Sequence, residues 1–129
     1  PARSGENRRM RRPLAIALSS LVLSGCLVPT EPSKQADDIA SVAAEGALLA
    51  HDAAEGDTTA TFTREHSGDL RSKLAQLEPK VEVQELSRLL ATTDRELGVL
   101  QDDPGDRTRA RVVERRLDRA SRRAARYAG

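Results

Sequence analysis

VQELSRLLATTDRELGVLQ, residues 83–101, is the most regular stretch of the chain, and it decides how the rest is read. Val83, Leu86, Leu90, Thr93, Leu97 and Leu100 recur at alternating spacings of three and four, which places them on one face of a helix; a strand would need alternation by two. The pattern is a heptad, and a helix written this way has to lay its stripe against another helix. Working outward, Glu78-Pro79 separates this third helix, expected over about 80–101, from a second one. That second helix follows the turn cluster Gly56-Asp57-Thr58-Thr59 and ends at Leu77, with Phe62, His66, Leu70, Leu74 and Leu77 on one side.

The first helix is expected from Ser33, as N-cap, to Glu55. Its stripe of Ala36, Ile39, Ala43, Gly46, Ala50 and Ala53 is made of small residues and permits close approach to a neighbour. On the other side, Asp102-Asp103-Pro104-Gly105 offers a stop, an N-cap at Asp103 and a proline at the first helical position. The fourth helix then runs to about Tyr127 with Ala110, Val113, Leu117, Ala120, Ala124 and Tyr127 in register.

Four amphipathic helices with short connections predict an all-α, up-and-down bundle over residues 34–129. The alternative is a coiled-coil hairpin of the third and fourth helices, with the first two packed loosely or dimerising. Only one Phe and one Tyr are present, so the core must be built from Leu, Val and Ala. Gly46, Gly68 and Gly98 each fall inside a helix at roughly 1 kcal/mol relative to Ala, so they serve close packing or mark weak helices. A single cysteine excludes an intramolecular disulfide.

That cysteine ends the other informative segment. From Met10 the chain reads Met-Arg-Arg-Pro and then twelve mostly apolar or small residues, Leu14 to Gly25. At ~1.5 Å per residue they make about 18 Å of helix, short of a hydrocarbon core of roughly 30 Å, which suits a cleaved signal rather than a permanent span. Leu23-Ser24-Gly25-Cys26 resembles the lipobox of bacterial lipoproteins, a resemblance covering about the first quarter of the chain. It implies that the Cys26 thiol receives a diacylglycerol group and that the bond before it is cut by a peptidase recognising Leu23, Ser24 and Gly25. In that family the new amino terminus is often acylated as well, and the resemblance implies a protein lipid-anchored on the extracytoplasmic face of a membrane. Residues 1–25 are then a signal peptide with its start expected at Met10, and residues 26–33 are the lipidated cysteine and a short tether containing Pro29 and Pro32. The pairs Arg8-Arg9 and Arg11-Arg12 lack the flanking residues of a twin-arginine signal, so the general secretory route is expected. The stretch after Cys26 resembles no characterised family.

Charge is divided along the chain. Residues 1–25 hold five Arg and one Glu, so the remainder carries sixteen basic and nineteen acidic side chains, a net of −3. Between Gln35 and Asp57 there are six acidic residues and no basic one, whereas Pro104–Gly129 holds nine Arg and three acids. In an up-and-down bundle the first and fourth helices are neighbours, and one reading is mutual pairing across that interface. The other reading brings Arg119, Arg122, Arg123, Arg126 and Tyr127 back toward the anchored end, where they are candidates for facing anionic headgroups. A net-acidic exported domain with no aromatic platform among its arginines argues against nucleic-acid binding.

Candidate chemistry is sparse. His51 and His66 lie about equally far from the turn between the first two helices, so a hairpin would bring His51, Asp52, Glu65 and His66 to one level, a set able to hold zinc or iron. Set against this, His66 shares a face with Phe62 and Leu70, as a boundary histidine would, and His51 suits a solvated position. No metal site, cofactor or catalytic group is therefore expected, and phosphate loops, Cys-x-x-Cys pairs and Gly-x-Ser-x-Gly elbows are missing. The expected function is binding: a lipid-anchored adaptor or accessory subunit of an envelope protein. The alternatives are a metal- or small-ligand sensor in the first hairpin, or anionic-lipid binding through the last helix.

Overall fold

A computed structural model describes residues 31–129, so the lipobox, Cys26 and most of the tether lie outside the described residues. The chain folds into four helices: α1 (Pro32–Glu55), α2 (Ala60–Leu77), α3 (Gln84–Asp102) and α4 (Arg107–Ala128), with a 3-10 turn at Glu78–Lys80 between α2 and α3. No strand occurs among the described residues. Neighbours in sequence pack against each other, α4 closes the bundle against α1, and α3 also touches α1 across the middle. This is the expected all-α bundle. The α3–α4 hairpin is not its dominant unit, because α1 and α4 form by far the most extensive interface.

The helix ends follow local rules, with three shifts from the expected boundaries. Pro32, not Ser33, starts α1: its ring presets the helical φ and its missing N–H is not needed there, and the Glu31 carbonyl accepts from the Gln35 amide at 3.0 Å. Gly56 ends α1 at φ +78°, a conformation costly for any residue with a Cβ, and the Asp57 amide reaches the Asp52 carbonyl at 2.8 Å to complete a Schellman cap. Pro79 lacks the N–H that would extend α2, so the chain tightens into the 3-10 turn and α3 begins only at Gln84. Asp106, not Asp103, caps α4 by accepting the Arg109 amide at 3.0 Å. Thr59 caps α2 in the same way from Phe62, at 3.1 Å.

One continuous core fills the bundle. Ile39, Leu70, Leu74, Leu86, Leu97, Leu100 and Leu117 are essentially inaccessible to solvent, each contributing about 1.5–3 kcal/mol of burial. Against α4, helix α1 presents alanines, and the approach is close enough for the Ser121 hydroxyl to donate to the Ala40 carbonyl at 3.0 Å. Gly46 lets two core leucines converge on the α1 backbone. A Cβ at this position would stand 2.8 Å from Leu97 Cδ2 and 2.9 Å from Leu117 Cδ1.

The stripe on α2 departs from expectation. Phe62 is half-exposed and stacks on the His66 ring at 5.4 Å, while Thr63 and Ser67 are fully buried above Leu70 and Leu74. Four-residue steps advance about 40° too far at roughly 100° per residue, so from Leu70 back to Phe62 the stripe drifts about 80° off the core. Thr63, Ser67, Leu70 and Leu74, spaced four, three and four, stay on it. Tyr127 likewise ends exposed at the last turn of α4.

Leu117→Ala is expected to cost about 3 kcal/mol, because the rigid seam around Gly46 cannot collapse into the cavity. Gly46→Val is expected to cost about 2 kcal/mol by forcing both leucines aside. Thermal unfolding followed by circular dichroism would show midpoints lower by roughly 10 °C or more for either; an unchanged midpoint would mean that α1 and α4 are not in close register.

Candidate functional site

The surface of α4 is divided along its length. Its first half makes two polar contacts to α1: Arg111 Nη1 lies 3.5 Å from Glu55 Oε1, and His51 Nδ1 lies 2.9 Å from Glu114 Oε1, the geometry of an imidazole N–H donating to a carboxylate. Arg109 pairs instead with Asp103 and Asp106 and Arg116 with Glu96, while Arg107 and Arg115 are exposed with no carboxylate within 4 Å among the described residues. Mutual pairing of the first and fourth helices is thus confined to these two contacts. In the second half, Arg122 pairs within its own helix with Asp118 at 2.8 Å. Arg119, Arg123 and Arg126 are exposed, and among the described residues no carboxylate lies within 4 Å of them. The Ser121–Ala40 hydrogen bond puts these turns beside the beginning of α1. All five residues expected to face lipid thus share the end of the bundle at which α1 begins.

Between α3 and α4 this basic surface deepens into a groove of about 410 Å³, lined by Arg95 and Thr92 from α3 and by Arg116, Arg119 and Arg123 from α4. At its base is Glu96, 1 % exposed. Its Oε1 accepts from Arg116 Nη1 at 3.1 Å, while Oε2 is buried without a hydrogen-bond partner among the described residues. Neither Arg95 nor Glu96 belongs to the α3 heptad of Val83, Leu86, Leu90, Thr93, Leu97 and Leu100. All but Val83, which is half-buried at the N-cap, are buried, but α3 meets three neighbours and so buries a second stripe of Leu89, Thr93, Glu96 and Leu100. Leu89 and Thr93 were the only signals of that wider face.

The first hairpin does not bring its histidines together. His66 Nε2 meets Glu45 Oε1 on α1 at 3.1 Å, whereas His51 is turned to Glu114 on α4. Positions 45 and 51 are six residues apart, about 120° around the helix, so a shared level does not give a shared face. Among the described residues no three His, Cys, Asp or Glu side chains converge as a metal would need.

A further polar cluster ties α2 to α3. Arg71 Nε and Nη2 donate to the two Asp94 carboxylate oxygens at 2.9 and 3.3 Å, and Nη1 donates to Gln101 Oε1 at 3.0 Å, with the guanidinium lying over Gly98. The Asp94 hydrogen bond raises the Arg71 pKa above its ordinary value, so this cation persists at any pH the fold meets. The fork fixes the register of the two helices.

No helix of the described residues is long and apolar enough to cross a membrane. No protein-family model, curated protein or solved structure matches the chain.

Replacing Arg71 with Met keeps its stem and removes the fork. The expected cost is about 1 kcal/mol, since the cluster is half-exposed, and urea unfolding would register it as a lower midpoint at unchanged slope. Zinc, nickel or iron(II) added to the chain is expected to leave its melting temperature unchanged, equally in a His51→Ala, His66→Ala double variant; a rise lost in that variant would restore the hairpin sensor.

Proposed function

We propose that this chain is a lipid-anchored extracytoplasmic protein that acts by binding, as an adaptor or accessory subunit of another envelope protein, with the second half of α4 turned toward anionic headgroups. The observation that carries the reading is the division of α4. The contacts that α4 makes to polar side chains of α1, Arg111 to Glu55 and Glu114 to His51, all lie in its first half; toward the beginning of α1, Arg119, Arg123 and Arg126 have no carboxylate within 4 Å among the described residues. That end is also where the tether joins. Five residues from Cys26 to Glu31, even fully extended, span only about 18 Å, so a lipid on Cys26 would hold these arginines within reach of the surface. Each basic side chain near an anionic membrane contributes about 1 kcal/mol, and Tyr127 suits the interface.

The anchor is tested by metabolic labelling with a palmitate analogue. The native chain should take up label and Cys26→Ser should take up none; an unlabelled native chain would remove the lipoprotein reading. Crosslinking in intact cells tests the adaptor. A stoichiometric envelope protein captured by the native chain and lost with Cys26→Ser is the expected result, and self-crosslinks alone would count against it.

A further inference from the structure

We infer that the groove between α3 and α4 is a binding site for a phosphate group. The inference rests on the reading that the second half of α4 meets anionic groups, and it names the place and the chemistry. Four guanidinium groups, from Arg95, Arg116, Arg119 and Arg123, line one groove. Arg116, Arg119 and Arg123 are spaced three and four apart on α4, where like charges repel each other. The only carboxylate in the lining is Glu96, and it is committed from below to Arg116. Among the described residues no carboxylate lies within 4 Å of the remaining three. An anion in the groove would neutralise them.

Glu96 makes this a built site and not merely a charged face. Its carboxylate is buried and fixed by α3, and it holds one N–H of Arg116 at 3.1 Å, leaving the other donors of that planar fork free. A buried carboxylate with one oxygen unpartnered is costly for the fold. Held on Glu96, Arg116 is fixed in orientation at the groove wall, with its remaining N–H donors available to a ligand. The ligand class follows from the donor set. A carboxylate offers two oxygens and one charge, enough for a single fork; a phosphate spreads more charge over more acceptors and can meet two or three forks at once. Thr92 adds a hydroxyl at the wall. The phosphate can belong to a lipid headgroup or to a soluble phosphate ester.

The test uses the full chain in neutral detergent micelles, with helix melting as the readout. The probes are inorganic phosphate, glycerol 3-phosphate, and micelles doped with phosphatidylglycerol or, as control, phosphatidylcholine, all at constant ionic strength. Arg95→Gln combined with Arg123→Gln removes two groove walls at exposed positions where Gln is a good helix former; Arg107→Gln combined with Arg115→Gln removes the same charge from exposed positions of α4 outside the groove and away from the lipid-facing turns. The expected result is a rise in melting temperature whose apparent affinity weakens at least tenfold in the groove variant and is kept in the other. A rise with soluble phosphates identifies a soluble ligand; a rise only with phosphatidylglycerol identifies the headgroup. Equal loss in both variants, or loss only outside the groove, overturns the site while leaving a diffuse basic surface standing. No rise with any probe overturns both the site and the anionic-surface reading.

Discussion

The close approach of α4 to α1 is the constraint on which the other packing depends. A hydroxyl on one helix reaches a main-chain carbonyl of the other, from Ser121 to Ala40, only because the seam between them is made of alanines. With the two backbones so near, Leu97 and Leu117 both end against Gly46, and there is room for no side chain there. Rotation of α4 is thereby set, since turning it would lift Leu117, Ala120 and Ala124 out of the core. The same rotation decides which arginines meet α1 and which do not. Core packing and surface charge are in this sense one arrangement.

Seen this way, the polar contacts divide by what they do. Arg111–Glu55 and His51–Glu114 are exposed pairs whose energetic worth is small; their effect is to hold the far ends of α1 and α4 in order. Arg71 with Asp94 and Gln101 does the same for α2 and α3 from a half-buried position. Glu96 is different. A carboxylate removed from water, bonded to one arginine and surrounded by others, contributes little to folding, and in its place a leucine would extend the apolar stripe of α3. Its single hydrogen bond orients Arg116 at the wall of the groove proposed to take a phosphate.

The sequence by itself determined the number of helices, their approximate spans and most of the core, because a three-four repeat of apolar residues is a local property that each segment carries alone. Leu86, Leu90, Leu97, Val113 and Leu117 were readable as core for this reason, and the small-residue seam of α1 was readable as a place of close approach. Tertiary structure alone decided azimuth and partner choice. Counting from the turn set His51 and His66 at one height, but the angle around α1 sends one toward α4 and leaves the other beside Glu45. Phe62 fell off the α2 stripe because small angular errors accumulate over two turns, and no neighbour was available in the sequence to show where the core lay. Glu96 and Arg95 were invisible because a glutamate and an arginine on an amphipathic helix read as solvated; only the packing of α4 across α3 buries the one and sets the other at the rim of a groove.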